Sequence, residues 1–173
     1  MKKNINWIYK VFLLSFILSM LFSGISSTIA NNVNNILLTI IILIVITTGI
    51  IFDMIGVAVL TSNEANLHAK ASQKIKGAKE AITLLKNATQ VASICNDVIG
   101  DICGIVSGTI GAVLTINIAN YFDFNVSVTT ILVTAVISML TVGFKAIFKD
   151  VATKKSDSIV MFVGKIKHFL KLK

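Results

Sequence analysis

The chain has 173 residues and a net charge of +8, and 55% of its residues are hydrophobic whereas only 14% are charged. With a mean hydropathy of +0.86, this composition exceeds what the core of a water-soluble domain needs, and four helices of about 20 apolar residues would use half the chain. It excludes an ordinary soluble domain and predicts an all-α integral membrane protein, one domain over residues 1–173, with four transmembrane helices and amphipathic cytoplasmic helices.

The basic residues also restrict the class of protein. All sixteen are lysines, so no arginine is present for bidentate recognition of bases or phosphates, and no nucleic-acid partner is expected. The sequence has no Ser/His/Asp arrangement, phosphate-binding loop or zinc signature. We therefore do not expect an enzyme.

The first half of the chain predicts a pair of spans. An apolar run after the N-terminal lysines predicts a span over residues 8–30, although its small, polar end is also typical of a cleavable signal peptide. A second span is predicted over residues 36–62. Only residues 31–35, four of them asparagine, separate the two, which favours a tight helical hairpin.

A basic segment follows the second span. Over residues 63–87, apolar side chains recur at helical spacing opposite lysines, which predicts one interfacial amphipathic helix. Thr61 and Glu64 have the spacing of a capping box and are expected to begin it.

The second half predicts two more spans, over residues 88–119 and 127–148, joined by a polar turn with three aromatic residues suited to a membrane interface. The tail, residues 156–173, places an apolar stripe beside several lysines. It predicts a second amphipathic helix, which binds an anionic lipid leaflet.

The lysines predict the orientation. They precede the first span, fill the loop between the second and third spans, and follow Gly143, while the other two loops have none. Under the positive-inside rule, the protein is a multi-pass protein of the cell membrane with its N- and C-termini in the cytoplasm.

Three acidic residues fall inside predicted spans, where a carboxylate at the bilayer centre costs a few kcal/mol or more. Asp53 lies nine residues from the end of its span at Ser62, and Asp97 lies nine residues from the start of its span at Ala88. Both are therefore roughly 13 Å deep on neighbouring helices. Asp101 shares a helix face with Asp97, and the spacing predicts that these acids face each other.

The neighbours of these acids suggest a cation site. No lysine lies within the second or third span, so the carboxylates are expected to lack an internal cationic partner and must be protonated, pair with polar groups or hold a cation. Mg²⁺ prefers carboxylate and amide oxygens together with retained water. Asp53, Asn96, Asp97 and Asp101 are the predicted ligands for Mg²⁺ or another divalent cation. The alternative is that the acids and Asn96 act as interhelical hydrogen-bonding groups.

Glycines at intervals of four lie along the third span. Gly100, Gly104 and Gly108, continued by Gly111, let another helix approach closely, either within the monomer or in a dimer.

Residues 51–148 resemble the transmembrane domain of the CNNM/CorC family of magnesium transporters. The resemblance depends on the motif Phe52-Asp53-Met54-Ile55-Gly56, the following Thr61-Ser62-Asn63-Glu64, a juxtamembrane basic helix and a polar-centred span. It implies divalent-cation transport by a homodimer, with Thr61, Ser62 and Glu64 at the cytoplasmic exit.

The sequence also departs from that family. The family pattern Phe-Ser-x-x-Glu-x-Ala has Asp53 at its Ser position and Gly56 at its Glu position, and Gly-Asn-x-x-x-Asn resembles residues 96–101 with Asp97 and Asp101 in place of asparagine. Relative to the family, an additional first span is predicted, and CBS domains are expected to be absent. A transporter or transporter-like protein is thus predicted, with a non-transporting membrane adaptor or accessory protein as the alternative. A proton-coupled role for the same acids lies between the two.

Overall fold

In a computed structural model of the protein, residues 2–171 are described, with side chains at residues 8–30 and 32–170. Within these residues the chain is helical and has no strand, which confirms the predicted all-α class. The last two residues of the predicted tail helix, 172 and 173, lie outside the described residues.

The helices follow one another with short connections. In chain order they are α1 (Lys2–Asn31), α2 (Asn35–Thr61), α3 (Glu64–Ser72), α4 (Ala78–Lys86), α5 (Ala88–Ser93), a π-helix (Ile94–Gly100), α6 (Asp101–Phe122), α7 (Val126–Lys154) and α8 (Ser156–Lys171).

Four described segments are long and apolar enough to cross a membrane, and they coincide with the four predicted spans. They are Ile8–Ala30, Asn35–Thr61, Ala88–Phe122 and Val126–Lys154, with mean hydropathies of 2.0, 2.7, 1.9 and 2.1. The chain is therefore an all-α protein with the helices of a membrane protein.

Asparagines in the two short loops explain where the spans begin. The side-chain oxygen of Asn34 accepts a hydrogen bond from the backbone N–H of Leu37 at 2.9 Å, and Asn125 accepts one from Ser127 at 2.9 Å. Each satisfies a backbone donor that the first turn of a helix leaves unpaired. The tight connection predicted between the first two spans is present.

The single amphipathic helix predicted over residues 63–87 is wrong, because the chain breaks between α3 and α4. Lys74 and Gly77 have φ angles of 58° and 86°, in the left-handed region that ends a helix. The predicted capping box is also wrong. Asn63 is the N-cap of α3 and accepts from Ala65 N, whereas Thr61 still belongs to α2 and donates to Val57 O.

The described chain divides into two compact units. The first comprises residues 2–49 and 98–143, and the second comprises residues 50–97 and 144–171. Since the boundaries fall inside α2, the π-helix and α7, each of these three helical segments contributes to both units.

The first unit is an apolar helical assembly in which α1 packs against α6. A hydrogen bond from Asn117 Nδ2 to Asn35 Oδ1, 2.9 Å long, joins α6 to the start of α2. Farther along α2, a Cβ atom added at Gly49 would lie 2.9 Å from Cys103 Cβ. The absence of a side chain at Gly49 thus allows α2 and α6 to approach closely.

The second unit has a hydrophobic core formed by the end of α2, by α3 and α4, and by α8. Its fully buried members include Ala58, Val59, Leu67, Ala81 and Val160. The predicted tail helix is therefore not only a surface element, since one of its faces is buried against α4.

Helices α4 and α8 come closest at two glycines. A Cβ atom added at Gly164 would overlap the carbonyl oxygen of Gly77, and one added at Gly77 would lie 2.6 Å from Lys165 N. Both neighbours are backbone atoms, which cannot rotate away as a side chain can. A second link is the hydrogen bond between His168 Nδ1 and Glu80 Oε1, at 3.1 Å.

Asp157 joins α8 to the segment after α2 through hydrogen bonds. Its Oδ1 accepts hydrogen bonds from Ser62 Oγ at 2.7 Å and Asn63 N at 2.9 Å, and its Oδ2 accepts one from Asn66 at 2.7 Å. Partial burial opposes ionisation, but the bonds from Asn66, Ser62 and Asn63, with the charge of Lys70, outweigh it and lower the pKa of Asp157.

Removing this carboxylate should weaken the second unit. We expect Asp157→Ala to lower the free energy of unfolding by about 1 to 2 kcal/mol at neutral pH, because three donors lose their acceptor. The folded-state pKa lies below the unfolded one, so the stabilisation is present above about pH 4 and is lost as the pH falls through the folded pKa. Thermal unfolding in detergent at pH 6 and pH 3 measures this.

The matched control is Asp150→Ala, which removes an exposed acid that pairs only with Lys154 one turn away. Its effect should be within about 0.5 kcal/mol at both pH values. An Asp157→Ala variant that is equally destabilised at pH 6 and pH 3 would contradict the assignment.

Candidate functional site

Asp53 is paired with a lysine. Asp53 Oδ1 lies 3.6 Å from the Nζ atom of Lys145 in α7, and the two side chains are 19% and 29% exposed. The expectation that the acids in the spans lack an internal cationic partner is therefore wrong for Asp53, because Lys145 comes from the fourth span. Both belong to the second unit.

The depths of the two residues are similar. Asp53 lies eight residues before the end of α2 at Thr61, and Lys145 lies nine residues before the end of α7 at Lys154. At about 1.5 Å per residue, each is roughly 12 to 14 Å inside its helix end. An ion pair at this depth lowers the cost of keeping either charge in a low-dielectric environment.

Asn96 lies against Gly56, one helical turn after Asp53. A Cβ atom added at Gly56 would overlap Asn96 Oδ1 and would lie 2.7 Å from the amide carbon. The carboxamide of Asn96 thus fills the space that a side chain at position 56 would occupy. Since Asp53 and Gly56 are three residues apart on α2, both lie on the same face of that helix.

The Asn96 oxygen is the unusual atom of this region. It is buried and has no hydrogen-bond partner in the described chain. A buried amide oxygen without a donor costs about 1 to 3 kcal/mol of stability. A ligand that binds its lone pairs would offset this cost. Asn96 also lies in the π-helix Ile94–Gly100, a conformation that is rare and often occurs at functional sites.

Asp97 and Asp101 are placed differently. Asp97 is exposed and accepts a hydrogen bond from Ser93 Oγ at 2.9 Å, while Asp101 is exposed in the first turn of α6 and belongs to the first unit. Within the described residues, no three His, Cys, Asp or Glu side chains come close enough to hold a metal ion. The structure brings Asn96 beside Gly56 and Asp53 beside Lys145, and the four-residue ligand set stays a prediction.

The predicted exit residues have other partners. Ser62 donates to Asp157, and Glu64 lies 3.3 Å from His68 on the next turn of α3. Thr61 bonds within α2. Ser62 thus joins α8 to the segment after α2, whereas the side chains of Thr61 and Glu64 make contacts within their own helices.

The glycines of the third span differ in their surroundings. Gly100 is buried, and a Cβ atom added at Gly111 would lie 2.5 Å from Ile137 Cδ1, so Gly111 packs against α7. Gly104 and Gly108 are exposed with nothing within 4 Å of an added Cβ. The surface of α6 at Gly104 and Gly108 is therefore open in the described chain.

Sequence reasoning missed Lys145. The lysines near the C-terminus were assigned to the cytoplasmic side together, although Lys145 lies well inside the fourth span. The predicted span ends at residue 148, only three residues after Lys145, whereas α7 continues to Lys154 and gives Lys145 a depth that matches that of Asp53.

Comparison with known proteins adds no relative, since no protein-family model, no curated protein and no solved structure matches the chain. The family resemblance of residues 51–148 accordingly stays a prediction.

Proposed function

We propose that the protein is a divalent-cation transporter, or transporter-like protein, of the Mg²⁺ type. The cation is the cargo, and Asn96 with Asp53 forms the centre of its site in the second unit. The sequence also predicts Asp97 and Asp101 as oxygen ligands, and both are exposed in the described chain. The observation that supports this most directly is the buried Asn96 oxygen, which has no hydrogen-bond donor among the described residues.

The chemistry of these donors suits Mg²⁺. This ion keeps several water molecules and typically takes one or two protein carboxylates, so it does not require the cluster of three acids that is absent from residues 2–171. One carboxylate, Asp53, and one amide oxygen, Asn96, are compatible with a hydrated ion. A hydrated ion would also fill the lone pairs of the Asn96 oxygen.

The contact between Gly56 and Asn96 also supports the family resemblance. The family pattern places Glu at the position of Gly56 and Gly at the position of Asn96. In this chain the larger side chain is that of Asn96, in the π-helix, and it fills the space next to Gly56 on α2. Such a reciprocal exchange keeps the volume of the contact and keeps an oxygen ligand there, but replaces a carboxylate by a neutral amide. We expect weaker cation binding as a result.

Lys145 favours the second candidate function, a non-transporting adaptor or accessory protein. Its ammonium group lies beside Asp53, so it already supplies the positive charge that a bound cation would bring. A chain that had lost transport would retain such a pair because it makes the scaffold stable without an ion. In the transporter, by contrast, the ion must compete with Lys145 for Asp53.

The proposed assembly is a homodimer in the cell membrane, with both termini in the cytoplasm. Asp101, Gly104 and Gly108 lie on one exposed side of α6. A carboxylate that faces lipid costs about 2.5 to 3.5 kcal/mol at the centre of a span, and small residues allow close helix approach. A second copy packed on this side would cover the acid and use the open glycines.

Asn96→Leu is the sharpest test of the cation site. Leucine has a similar size but no oxygen, so we expect Mg²⁺ affinity to fall at least tenfold while thermal stability is kept or rises, because an unpaired buried polar group is removed. Isothermal titration of the purified full chain in nanodiscs measures the affinity. The matched control is Asn120→Leu, which changes an exposed asparagine of α6.

Equal Mg²⁺ affinity in the wild type and Asn96→Leu would contradict the site. The double variant Asp97→Asn/Asp101→Asn tests the two other acids in the same titration. Flux into proteoliposomes separates the functions: flux that depends on Mg²⁺ supports transport, and no flux together with copurification of a larger partner supports the adaptor. Flux that depends on pH but not on Mg²⁺ would indicate proton coupling.

A further inference from the structure

An apolar groove of about 390 Å³ lies in the second unit between the end of α2 and α8. Its lining is mostly aliphatic and aromatic, and includes Ile51, Ile55, Val151, Phe162 and Ile166. Three of these side chains remain well exposed in the described chain, Ile51 at 46%, Phe162 at 64% and Ile166 at 46%. The groove is therefore unfilled apolar surface and not part of the core.

One side of the groove is formed by a second apolar face of α8. The core-facing side of this helix is already covered, since Val160 and Met161 are 0% and 6% exposed and α4 packs against it. The groove side instead meets α2 at residues inside a segment apolar enough to span a membrane. An apolar face in this position is accessible to lipid.

A lysine lines the same groove. Lys155 lies between the last residue of α7 and the first residue of α8, directly after the fourth candidate span. Among the described residues, no carboxylate is within ion-pair distance of its ammonium group. The nearby acids have other partners: Asp157 accepts from Ser62, Asn63 and Asn66, and Asp150 pairs with Lys154.

We propose that this groove binds one acyl chain of a phospholipid with an anionic headgroup, and that Lys155 contacts the headgroup phosphate. Within a bilayer, apolar contact alone does not favour one lipid over another, because every acyl chain is already in hydrocarbon. The preference therefore comes from the charge at the end of the groove. A lysine at the level where a span ends is suited to a phosphate group there.

A second copy of the chain fits the groove less well. A symmetric contact would place the same patch of both copies together, and this patch has Lys155 with its charge unpaired. Two such lysines would repel each other, whereas an anionic lipid supplies the opposite charge. Charge complementarity thus favours the lipid.

The experiment compares lipid retention by neighbouring lysine variants. The full chain is purified in detergent, mixed with equal amounts of phosphatidylglycerol and phosphatidylcholine, and analysed by native mass spectrometry. We expect the wild type to retain the anionic lipid about fivefold in preference. Lys155→Gln should reduce this preference to near one, because glutamine keeps the aliphatic stem and lacks the charge.

Lys154→Gln is the matched control, since Lys154 is adjacent in sequence and its ammonium group pairs with Asp150 at 2.6 Å. It should leave the preference unchanged. Ser158→Trp places a large ring in the groove, which Ser158 lines, and should reduce retention of both lipids.

Equal loss of preference in Lys154→Gln and Lys155→Gln would overturn the proposal, because it would show diffuse attraction to the basic surface. Unchanged lipid retention in Ser158→Trp would also overturn it. So would a wild-type spectrum of dimers without lipid in which Ser158→Trp produces monomers, since the groove would then hold a second copy.

Discussion

Replacing Asp53 by asparagine should destabilise the protein by about 2 to 3 kcal/mol. The variant leaves the ammonium group of Lys145, 3.6 Å from Asp53 Oδ1 in the wild type, as an uncompensated charge roughly 13 Å inside a candidate span. Lys145→Met should also be destabilising, because it leaves the Asp53 carboxylate without its partner. Equilibrium unfolding in mixed micelles measures both changes.

The single variant Asp53→Leu and the double variant Asp53→Leu/Lys145→Met complete a double-mutant cycle with Lys145→Met. Because both charges are gone and apolar groups replace them, most of the lost stability should return, and the coupling energy should exceed about 1 kcal/mol. Losses that add within about 0.5 kcal/mol would show that the two side chains do not stabilise each other. Lys154→Met, which changes an exposed lysine of α7, is the control for the loss of one positive charge.

The same lysine variant distinguishes the two proposed functions. If Mg²⁺ competes with Lys145 for Asp53, Lys145→Met should bind Mg²⁺ more tightly than the wild type, in spite of its lower stability. If the pair only holds the scaffold together, the affinity should not rise. In that case Lys145→Met would lower the stability without raising the affinity for Mg²⁺.

Substitution of Gly164 by leucine should be the most damaging change in α8, with a loss of about 2 to 4 kcal/mol. Its side chain would collide with the backbone of Gly77, and separating α4 from α8 would expose buried residues such as Ala81 and Val160. Gly77→Ala should also be costly, since alanine must adopt a φ of 86°.

Gly24→Leu provides the control for that experiment. Gly24 is an exposed helical glycine with nothing within 4 Å of an added Cβ, so leucine there should be neutral or slightly stabilising. Thermal unfolding followed by circular dichroism compares the three variants. A Gly164→Leu protein as stable as Gly24→Leu would contradict the close contact of α4 and α8.

Much of the fold was predictable because hydrophobic runs of span length and asparagine-rich turns are local features. The four spans and the helical tail follow from them. The break between α3 and α4 was not recognised, since Gly77 was treated as part of a helical pattern although it also permits the left-handed conformation. The burial of α8 against α4 involves residues such as Glu80 and His168, which are 88 positions apart, and periodicity alone does not show which elements pack together.

The candidate site was predicted in part for the same reason. Asp53 and Asp97 stand out because acids are rare in spans, and their equal depth predicts that they face each other; Asn96 is included as the neighbour of Asp97. Their immediate partners were not accessible from spacing: Lys145 is about 90 residues from Asp53, and the contact of Asn96 with Gly56 depends on how the helices are rotated.

The second unit also sets an order of events during biosynthesis. It is composed of residues 50–97 and 144–171, so it can form only once the ribosome has made both of these segments. Until α8 emerges, the side of α4 that packs against α8 is uncovered, and until α7 emerges Asp53 lacks Lys145. A nascent chain that stops after α6 would therefore present an unpaired acid and uncovered apolar surface, which are the features that membrane quality control and aggregation act upon.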